Sequence, residues 1–381
     1  MAKELKSSIE SVAFAFRGYN VTNLGRSHEL LAHPAYGPTV EEFLDRASRI
    51  CSDVTGKRVD LAARVRRRRE ASLENYPEAI ALIVAMEMAH IRLMEEFHST
   101  EYRRARMAFG YSLGELTAVA CGGTFALEDV LLVPLSMAQD CAELAQGVTM
   151  GVLFSRGTAL LEENVMRLCL RLNAENQGAI GISAILSPNT MLLLGQGNTI
   201  KRFKKLMPEV FPHSVNLRVN PHHWPPLHSP IMWQRNIPNR SAHMMQSLPG
   251  GATAPLPPVL SLVTGKASYN DYNARYILHQ WVDHPQRLWD AVCAALASNV
   301  QVVVHVGPEP NLIPATFKRL SENVLQQVSG RSLGSLGLRA VSRMVRRPWL
   351  GSLLPSRTSL LRAPNIQHIV LEDWLLEHAP K

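Results

Sequence analysis

Short apolar runs alternate along the chain with longer stretches of helical periodicity. The run SVAFAF at 11–16 is followed by Arg17-Gly18, and VQVVVHV at 300–306 by Gly307-Pro308, which is typical of buried strands that end in loops. Apolar residues recur at helical spacing over 39–52 and 76–97. Strands that alternate with helices predict an α/β sheet covered by helices on both faces.

Residues 145–214 have the pattern of a smaller unit inserted into this sheet. The predicted elements are strands at 150–154, 179–185 and 191–194, helices at 160–173 and 198–207, and a strand at 215–219 that returns to the main body. The order strand–helix–strand–strand–helix–strand is ferredoxin-like. We therefore predict a large subdomain formed by 1–144 and 215–328, a small one at 145–214, and a basic C-terminal extension at 329–381.

Composition agrees with a globular enzyme of 381 residues, 46% hydrophobic and 19% charged. No apolar stretch reaches the length of about 18 residues that a membrane span needs, and the charged start MAKELK predicts no secretory signal. The five cysteines form no CxxC pair, so we expect neither a disulfide framework nor a structural zinc site. This pattern favours a location in the reducing cytoplasm. The sequence also shows no metal cluster, phosphate loop or nicotinamide fingerprint, so we expect no bound cofactor.

The net charge of +8 is concentrated in two regions. Residues 331–381 carry eight Lys and Arg against three Asp and Glu, and a second basic run lies at 64–69. No nucleic-acid motif accompanies either run, and aromatic residues make up only 6% of the chain, so we expect no nucleic-acid partner. A solvated face is the preferred interpretation of 64–69. The tail either helps to dock an acidic partner or packs on the large subdomain, which its tryptophans Trp349 and Trp374 favour.

The sharpest chemical signal is the run GYSLGE at 110–115, which follows a predicted strand and precedes a predicted helix. A G-x-S-x-G sequence in that position forms a tight turn that presents a nucleophilic serine, here Ser112, at the N-terminus of a helix. A serine nucleophile needs a base. The chain has fourteen histidines, and His228 lies downstream in the run PLHSPIM at 226–232.

These runs resemble the malonyl-CoA:acyl-carrier-protein transacylase family, which includes the acyltransferase domains of fatty acid and polyketide synthases. The family elbow is GHSxGE, and its base lies in a segment similar to PFHSPLM. Further matching runs are LSPNTMLLLG at 186–195, QWVDHPQRLW at 280–289, VGPEPNL at 306–312 and Lys318-Arg319. Together the matches cover roughly 12–325. The resemblance implies an α/β fold with an α/β-hydrolase-like large subdomain and an inserted ferredoxin-like small subdomain.

The resemblance also implies a mechanism. Ser112 takes the acyl group from an acyl-CoA substrate with His228 as base, and passes it to the phosphopantetheine arm of an acyl carrier protein. The backbone carbonyl of Gln280 orients the histidine, and the backbone amides of Leu113 and Tyr19 form the oxyanion hole. A monomer is expected.

Three departures from the family alter the expected pocket. The family's PGQG is here Arg17-Gly18-Tyr19-Asn20, and Tyr111 replaces the elbow histidine that lines the acyl pocket. Malonyl-specific members place an arginine about 25 residues after the serine, where this chain has Met137; Arg156 fits that position only after an insertion. Because a bidentate arginine pairs well with a carboxylate, Met137 predicts an acyl group without a free carboxylate, such as acetyl or a longer chain.

Two other functions remain open at this point. An editing hydrolase of the same fold would release the acyl group to water, and a silent docking member would transfer nothing. A general lipase fits less well, because its acidic triad member lies between the serine and the histidine in the chain.

Overall fold

The computed structural model describes residues 9–328 and 358–380, arranged around two sheets. The larger sheet has five parallel strands in the order β7-β2-β1-β8-β9. Their bounds are β1 Val12–Phe16, β2 Met107–Gly110, β7 Val259–Leu260, β8 Val302–Val306 and β9 Gln367–Val370. The predicted basic stretch at 329–357, with Trp349, lies outside the described residues.

The register of the central strands determines where the site forms. Phe16 at the end of β1 pairs with Gly110 at the end of β2 and with Val306 at the end of β8. The loops that follow these three strands therefore meet at one edge of the sheet, the carboxyl edge where open α/β sheets bind ligands.

Helices cover both faces of this sheet, and α7 and α8 belong to the smaller sheet described below. Their bounds are α1 Ser27–Ala32, α2 Gly37–Thr55, α3 Leu61–Arg66, α4 Tyr76–His98, α5 Leu113–Cys121, α6 Leu127–Ala145, α7 Glu162–Asn173, α8 Thr199–Leu206, α9 Ile237–Ser247, α10 Ala274–Gln280, α11 Leu288–Ala297, α12 Leu312–Val328 and α13 Leu371–Glu377. Strand β1 is buried throughout, with Phe14 and Phe16 in one apolar core and Ala13 and Ala15 in the other. Because successive strand residues point to opposite faces, the run SVAFAF supplies both cores.

The smaller sheet is antiparallel and has the strand order β4-β5-β3-β6. Its strands are β3 Val148–Ser155, β4 Ile180–Ser187, β5 Thr190–Gln196 and β6 Val215–Val219, and α7 and α8 connect them in the ferredoxin-like order. This sheet and the parallel one confirm the predicted fold class. One boundary needs correction: 215–219 does not return to the large subdomain, because β6 pairs with β3.

The end of the chain belongs to the main sheet. Strand β9 pairs with β8, and His368 lies against His305 with a nitrogen–nitrogen distance of 3.0 Å. Trp374 and Leu375 of α13 are buried in the same core as Phe14. Residues 358–380 of the predicted extension are therefore a structural part of the large subdomain. Over the two described segments, no helix combines the length and apolarity that crossing a bilayer requires.

Candidate active site

Ser112 occupies a strained turn between β2 and α5. Its φ of 55° and ψ of −117° lie outside the usual regions for a side-chain-bearing residue. Gly110 permits this turn, because a Cβ there would lie 2.0 Å from the carbonyl carbon of Gly114. The turn presents the Ser112 hydroxyl at the first turn of α5, and the residue is 7% exposed.

His228 meets Ser112 from the segment that precedes α9. Its Nε2 lies 2.7 Å from the Ser112 Oγ, and its Nδ1 lies 2.7 Å from the Trp281 carbonyl oxygen. A carbonyl can only accept a hydrogen bond, so Nδ1 carries the proton and donates it. Nε2 of the neutral ring therefore accepts from the serine hydroxyl, which is the tautomer that a general base needs. The structure thus brings together the two predicted catalytic residues.

The carbonyl that orients the histidine belongs to Trp281, so the prediction of Gln280 is wrong by one residue. Gln280 is the last residue of α10, and its carbonyl accepts the backbone N–H groups of Asp283 and His284 in the turn that ends the helix. The next carbonyl is free of that turn and reaches the imidazole. Sequence alone does not show which of two adjacent carbonyls a helix end uses.

Burial controls the protonation of the base. His228 is 3% exposed, and the loss of solvation lowers its pKa to about 4. The bond to the Trp281 carbonyl and the charge of Asp283 oppose this shift without cancelling it. The imidazole is therefore neutral near pH 7 and ready to accept a proton.

Two residues that the sequence analysis did not single out hold the serine turn in place. The Gln286 side-chain oxygen accepts the backbone N–H of Ser112 at 2.9 Å, and the Trp281 indole donates to the Ser112 carbonyl at 2.7 Å. Gln286 also pairs with β4 of the small sheet through backbone bonds to Ser183 and Ile185. Both residues lie in the run QWVDHPQRLW, whose resemblance to the family was the available signal.

The loop after β1 lies directly against the serine. A Cβ at Gly18 would come within 2.7 Å of the Tyr111 carbonyl oxygen and 3.2 Å of the Ser112 Cβ, so only glycine fits. Leu113 opens α5, and its N–H belongs to the first turn, where backbone donors lack intrahelical acceptors. These positions suit an oxyanion hole, and the assignment of the Leu113 and Tyr19 amides stays a prediction.

Arg17 ties this loop to the loop after β8. The buried guanidinium donates through Nε to the Gly18 carbonyl at 2.9 Å and through Nη1 to the Pro308 carbonyl. Its Nη2 donates to the Thr22 carbonyl at 3.1 Å and to the Asn23 Oδ1 at 2.9 Å. The guanidinium therefore braces the backbone around Tyr19 and has few donors left for a ligand.

A cavity of about 390 Å³ opens at Ser112 and His228. Tyr111 lines it, as predicted from the sequence. Much of the remaining wall is apolar and comes from both subdomains, including Met150, Val152, Leu192, Leu194, Leu227 and Ile313. The first four lie on paired strands of the small sheet, where Met150 pairs with Leu194 and Val152 with Leu192. The cavity thus lies between the two subdomains.

Met137 does not line this cavity, contrary to the prediction. It lies on α6, is 1% exposed, and borders a separate space of about 10 Å³ behind Leu113 and Trp281. Tyr76 and Leu227 border both spaces and separate them. The number of residues between Ser112 and Met137 can be read from the sequence, but the side chains of Tyr76 and Leu227 that lie between them in space cannot.

Glu115, the last residue of the elbow run, is buried on α5. Its carboxylate oxygens accept the Leu262 N–H at 3.0 Å and the Tyr269 hydroxyl at 2.7 Å. Burial raises its pKa to about 7, and these hydrogen bonds oppose the rise. The residue therefore anchors the segment after β7 to the helix that carries Ser112.

The fold is similar to that of malonyl-CoA:acyl-carrier-protein transacylases. The structure of such a transacylase (FabD) from Xanthomonas oryzae matches with a TM-score of 0.63 at 20% identity, covering 81% of this chain and 91% of that one. The structure of MCAT from Streptococcus pneumoniae matches with a TM-score of 0.64 at 19% identity, covering 81% of this chain and 92% of that one.

A third match comes from the structure of a type II polyketide synthase acyl carrier protein in complex with its malonyl-transacylase. Its TM-score is 0.62 at 20% identity, and the match covers 80% of this chain and 92% of that one. No protein-family model matches the chain, and neither does any curated protein. Identities this low establish the fold alone, and the fold is the one that the sequence motifs predicted.

Proposed function

We propose that this protein is an acyl-CoA:acyl-carrier-protein S-acyltransferase that works through an acyl-Ser112 intermediate. The observation that carries the proposal is the 2.7 Å contact between the Ser112 Oγ and the Nε2 of a neutral, carbonyl-oriented His228. A serine in a strained turn, a base in the correct tautomer and a cavity beside both are the parts that acyl transfer through a serine requires.

In the first step the Ser112 Oγ attacks the thioester carbonyl carbon while His228 takes the hydroxyl proton. A C–O bond forms, the carbonyl oxygen gains negative charge, and the N-terminus of α5 stabilises that charge. Collapse of the intermediate breaks the C–S bond. The thiolate of CoA leaves with the proton from the imidazolium, and the acyl group stays on the serine.

In the second step a phosphopantetheine thiol gives its proton to His228 and attacks the acyl-serine carbonyl. The C–S bond forms, the C–O bond breaks, and Ser112 recovers its proton. One of the structurally similar proteins was solved with an acyl carrier protein, which supports this class of acceptor.

The acyl group that we propose has no free carboxylate. Among the described residues that line the cavity, the cations are Arg17 and Arg319. The Arg17 guanidinium donates its hydrogen bonds to backbone carbonyls and to Asn23, and Arg319 lies exposed on α12. A buried carboxylate without a partner costs several kcal/mol, and the apolar wall of the cavity favours an uncharged acyl chain.

The test is intact-protein mass spectrometry after mixing with acetyl-, butyryl-, hexanoyl-, octanoyl- and malonyl-CoA, with and without a phosphopantetheinylated carrier protein. We expect a mass gain from the uncharged acyl groups that moves to the carrier and is absent from Ser112→Ala. Faster loading of malonyl than of any neutral acyl group would contradict the proposed acyl class.

The same measurement distinguishes the other two functions. A mass gain that decays to free acid at the same rate with and without carrier would identify a hydrolase. No gain from any acyl-CoA would indicate a member that does not transfer acyl groups.

A further inference from the structure

Tyr76 separates the cavity at Ser112 from the small space at Met137. It is 2% exposed, and it borders both spaces. The far space of about 10 Å³ is too small for an acyl group, although its wall is almost wholly apolar, with Ile80, Leu113, Pro134 and Met137 among its residues. The tyrosine ring therefore occupies the route by which an acyl chain on Ser112 would extend toward α6.

The local sequence fixes Tyr76 in this position. It is the first residue of α4, and Pro77 follows it, which is a favoured position for proline because φ is already helical. Ahead of it, Ser72 and Asn75 form a capping box in which the Asn75 Oδ1 accepts the Ser72 N–H at 2.7 Å. The capped helix start thus fixes the backbone from which the buried Tyr76 ring projects.

Two further rings extend this barrier along the cavity. The Tyr19 ring packs edge-to-face on Tyr76 with centroids 5.0 Å apart, and Trp224 packs edge-to-face on Tyr19 with centroids 6.2 Å apart. We call Tyr19, Tyr76 and Trp224 the aromatic wall; all three line the cavity. Edge-to-face pairs of this kind add to the stability that burial already gives.

We propose that Tyr76 is a specificity-determining residue that closes the acyl pocket on the side of α6 and thereby restricts the chain length of the acyl group. The proposal rests on the proposed function, because it takes Ser112 as the acyl carrier. It differs from the substrate preference argued above, which concerns charge. Leu227 also borders both spaces, and removal of the Tyr76 ring would extend the cavity past Leu227 toward Met137 and Ile80.

The probe is a series of fluorophosphonates with straight alkyl chains from ethyl to octyl. Such a probe needs a reactive serine and no acyl donor. The Ser112 Oγ attacks phosphorus, the P–F bond breaks, fluoride leaves, and the hydroxyl proton goes to His228. The measured quantity is the rate of adduct formation at each chain length, followed by intact mass.

The expected result is a shift of the profile in Tyr76→Ala. The ratio of the octyl rate to the ethyl rate rises by about tenfold or more, since even one methylene in an apolar pocket changes the rate by roughly that factor. Tyr76→Phe keeps the ring and the wild-type profile. In the double variant Tyr76→Ala/Met137→Trp the larger side chain refills the space and reverses the gain. Tyr272→Ala, at a residue that is 82% exposed, is the control.

Each outcome decides the proposal. If Tyr76→Ala fails to fold, Tyr76→Leu opens less space and should give a smaller shift in the same direction. A wild-type profile in both folded variants would overturn the proposal while leaving the acyltransferase intact. No labelling of wild-type Ser112 by any probe would overturn the proposed function and this inference with it.

Discussion

The two sides of Ser112 are built on different physical principles. On the side of the base, polar groups converge: His228, Trp281 and Gln286 hold the serine through hydrogen bonds of 2.7 to 2.9 Å. On the side of α6, apolar and aromatic side chains meet, and Tyr76 closes the path to Met137. In the proposed transfer, the first side supplies the base, and the second limits the size of the group that the serine can carry.

The difference lies in how much each side constrains sequence. Hydrogen bonds in a buried site require particular atoms at particular distances, because an unpaired buried polar group is costly. A packed apolar wall requires only volume and shape, and it tolerates exchange of residues that conserve them. The base side is therefore marked by recognisable sequence motifs, whereas no such motif marks the residues of the acyl side.

The largest expected effect comes from removing the base. His228→Ala leaves the Ser112 hydroxyl without an acceptor for its proton, so the rate of Ser112 acylation falls by about 10²- to 10⁴-fold. Stopped reactions analysed by intact mass measure this rate. The matched control is His243→Ala, at an exposed residue of α9, which should acylate at the wild-type rate.

A loss of less than tenfold in folded His228→Ala would mean that another group activates the serine. Such a result would remove the distinction between the two sides, because the polar side would no longer be responsible for the chemistry.

Met137→Arg tests the apolar side. The guanidinium would enter a space bordered by Leu113, Pro134 and Trp281, where a buried charge without a partner costs several kcal/mol. We expect a lower free energy of unfolding in urea and no gain in malonyl loading. Met137→Leu, which nearly conserves volume, should cost less than about 1.5 kcal/mol.

If Met137→Arg instead loads malonyl faster than the wild type, the arginine reaches the carboxylate and the barrier at Tyr76 is permeable. The acyl side would then be a family pocket with one residue changed.

Gln286→Ala tests how far the polar side depends on orientation. The variant leaves the buried Ser112 N–H without its acceptor, which costs about 1 to 3 kcal/mol, so the turn loses its fixed position. We expect acylation to slow by roughly ten- to hundredfold, with the pH profile unchanged. Gln280→Ala is the control, since only its backbone contributes to the turn after α10. Equal rates in the two variants would contradict the role of Gln286.

The extent to which the sequence predicted the molecule follows the same division. SVAFAF and VQVVVHV predicted β1 and β8, and the elbow and the histidine run predicted the pair that the structure brings to 2.7 Å. The carbonyl predicted to orient His228, that of Gln280, is wrong by one residue, because the geometry at the end of α10 determines which carbonyl is free. The pocket was misassigned at Met137 because the residue that blocks it, Tyr76, is distant in the chain.

The smallest expected effect is that of pH on acylation near neutrality. It tests whether the His228 imidazole is shielded from water, as its burial indicates. Burial lowers the pKa of His228 to about 4. The imidazole of the free protein is then neutral above about pH 5, so the rate of probe attachment should be constant from about pH 5 to 8. The rate should fall below about pH 5, because a protonated imidazole cannot accept the serine proton. Rates measured with the ethyl fluorophosphonate avoid the ionisation of a carrier thiol. A midpoint near the ordinary histidine pKa of about 6.5 would mean that water reaches the ring from the cavity. In that case the polar side would be open to solvent, and the aromatic wall would be the better-sealed side of the site.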